Sequence, residues 1–326
     1  MKPLIILAVL LTSCGVKSGD FITRWNLATA GSGATEITFD VNTTGSVAYT
    51  WVTIPAGTTG SGTFTGTTAT ITGLPAGKII QLAIQPTNFN RISINNAAAR
   101  YRLLEVEQWG TTPWTSMEQA FAGCVNLQVT ATDVPNLSGV TNMNYMFADC
   151  TALNSPTNIG TWNTAAVTEM GWMFGNATSF NQPISTWNTA AVTRMNSMFA
   201  YATSFNQPIG TWNTDSVKYM FEMFENATSF NQPIDTWNTA AVTHMDGMFY
   251  GATSFNQPIG TWNTAAVTNM SRMFGSATSF NQPIGTWNTA AVTSMDEMFS
   301  GATSFNQPIG TWNTAAVTDV DGMQIR

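Results

Sequence analysis

Hydrophobic residues recur with a helix-like spacing in the second half of the chain. In the unit from Thr186 to Gly210, Met195, Met198, Phe199 and Ala202 follow the spacing i, i+3, i+4, i+7, which places all four on one face of a short helix. The other half of the unit, SFNQPIGTWNT, is extended and rich in turn residues. The pattern therefore predicts one short strand and one short helix in each unit.

The unit returns about every 25 residues and places a tryptophan at Trp162, Trp187, Trp212, Trp237, Trp262, Trp287 and Trp312. A fixed period of this length indicates a stacked array of repeats. Thr193 is the predicted N-cap of its helix, and a helix of roughly two to three turns needs neighbours to bury its Met/Phe face. We expect an α/β repeat solenoid over residues 102–326, with two degenerate first rungs and an incomplete last rung.

Residues 21–101 have a different pattern of short alternating runs such as ITFDV and AYTWVTI, rich in threonine and separated by Gly and Pro. Several short β-runs bounded by such turn signals predict a small antiparallel β-sandwich. We expect this domain to be a spacer or platform before the repeats.

The N-terminus combines Lys2, an apolar run over residues 3–11 and small residues leading to Cys14. The run is shorter than the roughly 20 residues of a spanning helix, so we interpret residues 1–13 as an export signal. Leu11 to Cys14 resemble a bacterial lipobox, which implies cleavage before Cys14 and acylation of this residue. Residues 14–20 are then a lipidated tether that attaches the protein to a membrane.

Cys124 and Cys150 are the other cysteines, and each follows a phenylalanine by three residues. Alanine occupies this place in later repeats, so we expect both thiols in a small buried slot. A disulfide between adjacent rungs is the alternative, and it needs Cα atoms within about 7 Å.

Charge and chemistry exclude several functions. Acidic residues outnumber basic ones by 18 to 11, and charged residues make up only 9% of the chain, so the basic stripe that binds nucleic acid is missing. The single histidine, His244, occupies a position that varies between copies, and only Asp246 is a nearby donor. We therefore expect no enzyme activity, no metal site and no cofactor.

The pattern VTxMxxMFxxATSFNQPIGTWNT, carried by Val192, Thr193, Met195, Met198, Phe199 and Phe205, resembles the repeat of BspA-like leucine-rich-repeat surface proteins of bacteria. The resemblance covers roughly Leu103 to Arg326, although Met and Phe stand where leucine is commoner. It implies a right-handed solenoid with a parallel sheet on one side and short helices on the other. Members are described as adhesins that bind host matrix proteins or other cells.

Residues that differ between copies are concentrated at the outward positions, which are the first, third, fourth, seventh and eighth after the cap threonine. One interpretation is free drift of exposed positions; the other is a binding strip, since exposed aromatic residues beside charges are typical of recognition patches. The predicted partner-binding residues are Glu169, Trp172, Arg194, Tyr201, Tyr219, Phe221, Glu222, His244, Tyr250, Arg272 and Glu297.

The tryptophan row gives a second hypothesis. If the rings face outward, they could stack on sugar rings; if they face inward, they belong to the core. We therefore expect an exported lipoprotein, anchored at the bacterial cell surface or outer membrane, that binds an extracellular-matrix or cell-surface protein. A glycan-binding protein and a purely structural stalk are the alternatives.

Overall fold

The computed structural model describes residues 17–31, 33–95 and 98–319. These residues form nine strands: β1 Phe21–Asn26, β2 Ile37–Thr43, β3 Val47–Ile54, β4 Thr59–Phe64, β5 Thr68–Ile71, β6 Ile79–Ile84, β7 Phe89–Ser93, β8 Leu103–Gln108 and β9 Gln128–Val129. A single 3-10 turn at Ile159–Thr161 is the only helical element of the described residues. The predicted export signal and the lipidation residue Cys14 lie outside them.

The strands of the N-terminal region form two sheets. One has six strands in the order β4-β3-β6-β1-β8-β9, and the other has three in the order β5-β2-β7. The stacked rings of Trp25 on β1 and Phe39 on β2, with centroids 5.7 Å apart, join the two sheets face to face. Alternation along β2 explains this packing, because Phe39 and Val41 point into the core while Asp40 and Asn42 remain exposed.

The larger sheet extends across residue 102, where the sequence predicted the start of the repeats. Strands β1, β3, β4 and β6 come before this residue, and β8 and β9 come after it. Strand β8 pairs antiparallel with β1 and parallel with β9. The chain then continues from this sheet directly into the first repeats, without an intervening linker.

Each repeat, called a rung from here on, is joined to the next by backbone hydrogen bonds. Alternate amides donate to carbonyls of the next rung over 2.7 to 3.0 Å, in the pairs Met170 to Arg194, Trp172 to Asn196, Phe174 to Met198 and Asn176 to Ala200. The predicted α/β repeat solenoid, leucine-rich-repeat-like and right-handed with a short helix in each rung, is therefore wrong. The described residues contain no α-helix, and Thr193 caps none.

Left-handed backbone at two positions of most rungs explains why no helix forms. Trp172 and Asn176 both have φ of 56°, and their equivalents Ser197 and Tyr201 have 54° and 60°. A right-handed helix needs φ near about −63° throughout. Every second amide in this segment instead points along the stack, toward a carbonyl of the next rung.

The residues predicted to face inward do so despite this different backbone. Met195, Met198, Phe199 and Ala202 are fully buried. Phe199 stacks on its equivalent in the preceding rung, with centroids 5.8 Å apart, and on Phe205 of its own rung at 3.9 Å. One continuous hydrophobic core runs from the N-terminal sheets through the repeats.

Polar side chains also bond from rung to rung. The Oδ1 atom of Asn206 accepts hydrogen bonds from the amide of Asn231 and from Nε2 of Gln232, both at 3.0 Å. The same arrangement recurs with Asn231 as acceptor for Asn256 and Gln257. This ladder satisfies polar groups that the stacking partly buries.

The N-terminal region covers the first rung. The amide of Ile94 donates to the carbonyl of Ala120 at 2.9 Å, and Thr115 donates to Asn90 at 3.0 Å. The end of β7 therefore supplies the contacts that a preceding rung would make. No helix among the described residues is long and apolar enough to cross a membrane.

Candidate partner-binding face

The residues predicted to bind a partner lie in neighbouring columns along one side of the stack. We call this side the variable face, defined by the first, third, fourth, seventh and eighth positions after Thr168 and its equivalents. The first column is a ladder of parallel bridges that joins Glu169, Arg194, Tyr219, His244, Asn269 and Ser294 in order. The stacking thus brings together side chains that are 25 residues apart in sequence.

Side chains of the first column contact one another. Arg194 Nε lies 3.5 Å from Glu169 Oε2, and its guanidinium carbon lies 4.8 Å from the ring centroid of Tyr219. The rings of Tyr219 and His244 follow at 5.5 Å. Exposed pairs of this kind stabilise by less than about 1 kcal/mol, so they order the surface more than they hold the fold.

His244 is partly buried in this column and not freely exposed as the sequence suggested. Its Nδ1 atom shares a hydrogen bond of 2.9 Å with the hydroxyl of Thr243. No group of three or more His, Cys, Asp or Glu side chains within the described ranges could hold a metal ion.

An aromatic pair lies at the N-terminal end of the face. The rings of Tyr145 and Trp172 stack with centroids 6.0 Å apart and planes 10° apart. The Trp172 ring covers Gly175, where an added Cβ would lie only 2.4 Å from the ring. Tyr145 is 40% exposed. Tyr145 is not among the predicted residues, because the second rung is degenerate and variation between copies is visible only in the regular rungs, although Tyr145 is the fourth residue after Thr141.

Tyr201 links this aromatic region to an acidic one. Its side chain is 40% exposed, and its hydroxyl donates to Glu225 Oε1 at 2.9 Å. This hydrogen bond raises the pKa of Tyr201, and partial burial adds to the effect. The pKa of Glu225 is also raised, mainly by burial and further by the charge of Glu222.

The carboxyl group of Glu222 lies within electrostatic reach of that of Glu225 in the same rung and that of Asp246 in the next rung. Burial raises the pKa of Asp246, and Glu222 again contributes. Ser197 donates to Glu222 Oε2 at 3.0 Å, whereas the buried Oδ1 atom of Asp246 has no hydrogen-bond partner within the described structure. The middle of the face therefore concentrates negative charge with unused acceptor capacity.

The remaining predicted residues occupy the same face with lower exposure or their own partners. Phe221 and Tyr250 are half-buried, and the Tyr250 ring covers Gly275. Arg272 is exposed and pairs through Nε with Glu297 Oε2 at 2.9 Å. The C-terminal part of the face is thus closer to charge balance than its middle.

The tryptophan row belongs to the core. Trp187 to Trp287 are 3 to 4% exposed, and neighbouring rings stack 6.3 to 6.4 Å apart. Each indole N–H donates to an isoleucine carbonyl of the preceding rung, as Trp212 does to Ile184 at 3.1 Å. Stacking on a sugar needs an open ring face, and these rings offer none.

The two cysteines lie in the first rungs as free, fully buried thiols. Cys150 Sγ donates to the carbonyl of Phe121 at 3.1 Å. Burial raises the pKa of both thiols, which keeps them protonated and unreactive. The small buried slot expected from the sequence is present, and the alternative disulfide is not.

Comparison with known proteins identifies a family for the repeat region. The family described as "Mycoplasma protein of unknown function, DUF285" matches residues 92–187, 156–252 and 229–325, three overlapping segments that take in most of the chain. No curated protein and no solved structure matches the chain.

Proposed function

Because the chain belongs to the family described as Mycoplasma protein of unknown function, DUF285, we propose that it is a repeat protein of the cell surface that binds a protein partner and catalyses no reaction. The variable face is the proposed binding surface. The observation that carries the proposal is the coincidence of variation, exposed aromatic rings and acidic groups without a salt bridge in the described structure, all on one side of the stack.

The N-terminal and central parts of this face together have the composition of a recognition site. Tyr145, Trp172 and Tyr201 offer aromatic surface, and tyrosine and tryptophan are enriched among residues that dominate binding energy. Glu222 and Glu225 follow in the rung next to Tyr201, and Asp246 lies one rung further. A partner that presents Lys or Arg next to an apolar side chain would contact both groups at once.

The anchoring part of the proposal rests on the sequence alone. The lipobox-like segment ending at Cys14 supports export and lipid attachment at the bacterial cell surface or outer membrane. The likeness of the repeat to BspA-like surface proteins supports an extracellular-matrix or cell-surface protein as the partner. Labelling with a fatty-acid analogue tests the anchor: the full-length chain takes up the label, and Cys14→Ser does not.

Binding is tested by presenting residues 15–326 to an array of matrix and cell-surface proteins. For a saturable hit, Trp172→Ala, Tyr201→Ala and Glu222→Gln each weaken binding by roughly tenfold or more if they touch the centre of the interface. Tyr101→Ala removes a similarly exposed aromatic ring outside the repeats and is the matched control.

Affinity that falls with added salt fits the acidic surface. The proposal fails if the three variants bind as wild type does, or if Tyr101→Ala is equally damaging. The binding site then lies elsewhere on the chain.

A further inference from the structure

A recess of about 460 Å³ lies outside the repeats, on the open face of the three-stranded sheet. Its floor comes from β2, β5 and β7, and Gln119 of the first rung contributes to its wall. The volume is within the range of roughly 300 to 1,000 Å³ of small-molecule sites. The variable face does not include these residues.

The sheet register places polar side chains next to one another on the floor. Asp40 pairs with Thr68 on one side and with Ser93 on the other, while Asn42 pairs with Arg91. Odd-numbered residues of β2 point into the core, so the side chains of Asp40 and Asn42 project toward the recess.

Hydrogen bonds hold the wall against the floor. Asn95 Nδ2 donates to Gln119 Oε1 at 3.0 Å, and the hydroxyl of Ser93 donates to the Gln119 carbonyl at 3.3 Å. Arg91 is committed to the first rung through Nη2, which lies 3.3 Å from Glu118 Oε2. The recess is therefore prearranged and does not need a ligand to form.

We propose that this recess binds a neutral saccharide. A sugar ring presents adjacent hydroxyl groups that both donate and accept, and the carboxylate of Asp40 with the amides of Asn42, Asn95 and Gln119 supplies matching acceptors and donors. The lining favours no apolar ligand, because Val41 is its only apolar residue and is itself buried.

Charge selects against anionic ligands. Arg91 already pairs with Glu118, so Asp40, which accepts a hydrogen bond from Thr68, is the charged group of the lining without a salt bridge in the described structure. Uronic acids and phosphates would meet this charge directly. Neutral hexoses and N-acetylhexosamines avoid the repulsion and keep the hydrogen bonds.

The test uses the full-length protein with neutral hexoses, N-acetylhexosamines and uronic acids, followed by saturation-transfer NMR and calorimetric titration. We expect saturable binding of at least one neutral sugar with a dissociation constant at or below about 10 mM, and a loss of roughly tenfold for Asp40→Ala, because hydrogen bonds to charged groups are the stronger ones. Asn42→Ala provides a second variant, and circular dichroism verifies that both fold. Asp215→Asn, exposed in the repeat stack, is the control that retains wild-type affinity.

Three outcomes overturn the proposal. The first is that no neutral sugar binds with a dissociation constant at or below about 10 mM. The second is that uronic acids bind better than neutral sugars, and the third is that both recess variants bind as tightly as wild type. Because the variable face lies in the repeats, binding of a protein partner there is measured separately and can succeed or fail on its own.

Discussion

The indole N–H of Trp212 donates a hydrogen bond to the carbonyl of Ile184 in the preceding rung, at 3.1 Å. Five of the other six repeat tryptophans make the same bond, and all are buried among the stacked phenylalanines. The repeat tryptophans, which are the most conspicuous residues of the sequence, therefore stabilise the contact between rungs.

Replacement of this tryptophan tests that role. We expect Trp212→Phe to lower the free energy of unfolding by about 2 to 4 kcal/mol, because it removes a buried hydrogen bond and opens space in the core. Denaturant unfolding followed by circular dichroism measures the change. Trp172→Phe, on the variable face, is the matched control and should cost under about 1 kcal/mol. Equal losses for the two variants would contradict the assigned role.

The asparagine ladder gives a second prediction. Asn231→Ala removes the acceptor for the amide of Asn256 and for Gln257, so we expect a loss of about 1 to 3 kcal/mol in unfolding free energy. Asn188→Ala removes an exposed side chain that accepts only from the amide of Ala190 in its own turn. Asn188→Ala should therefore lower the unfolding free energy clearly less than Asn231→Ala does. A larger loss for Asn188→Ala would show that the ladder adds no stability.

Left-handed backbone predicts a stabilising substitution. Ser276 has φ of 55°, and glycine occupies the equivalent positions 251 and 301. Ser276→Gly should therefore raise the thermal midpoint, with a gain of up to about 1 kcal/mol, since glycine adopts this conformation without steric cost. Ser300→Gly, in the next rung and outside the left-handed positions, should instead lower the midpoint. A fall for both variants would mean that the serine at 276 is not strained.

The acidic centre predicts an unusual pH dependence. Burial raises the pKa of Glu225 and of Asp246, so the folded protein holds these protons more tightly than the unfolded chain does. Their contribution to stability is then fully present below the unfolded pKa values of about 4 and is lost as pH rises through the folded values.

The double variant Glu225→Gln, Asp246→Asn should melt at a higher temperature than wild type at pH 7. Near pH 3, where wild-type carboxyls are protonated, the two proteins should melt alike. Asp215→Asn removes one exposed charge and should stay within about 0.5 kcal/mol of wild type. A double variant that is less stable at pH 7 would contradict the sign of these shifts.

Thiol chemistry gives a further prediction. In the segment 15–326, Cys124 and Cys150 are fully buried and their pKa values are raised, so a thiol reagent should find no reactive group at neutral pH in the folded state. In denaturant both should react. Rapid labelling of the folded protein would show that the first rungs open easily.

Much of the burial could be predicted from the sequence. Met195, Met198, Phe199 and Ala202 point inward as their spacing indicated, and the alternating run at Ile37 became strand β2. Helix was nevertheless the wrong backbone for the repeats, because hydrophobic spacing reports which residues share a face and not where their amides find partners. The signal was present in glycines 247, 251 and 301, which occupy left-handed positions that other rungs fill with varied residues, among them Ser, Glu, Asn, Arg, Tyr and Trp.

The tryptophan row and the recess show a second limit. A period of 25 residues gives the same row of tryptophans whether the rings face inward or outward. The inward orientation depends on the hydrogen bond from each indole N–H to a carbonyl of another rung, such as that of Ile184, and this contact is visible only in the structure. The recess depends on contacts between β7 and the first rung, such as that of Ser93 with Gln119, and no local sequence pattern predicts these contacts.

The amides of residues 170–176 that bond between rungs all donate in one direction, toward the next rung. From Met170 to Asn176, each alternate amide points to the next rung, and the carbonyl before it receives an amide from the rung behind. Peptide dipoles aligned in this manner add along the stack, as they do in a helix. The N-terminal end of the column is then its negative pole, and there Arg91 Nη2 donates to the carbonyl of Glu118. This column of peptide groups is thus electrically polar, and its two ends differ for any charged group that approaches them.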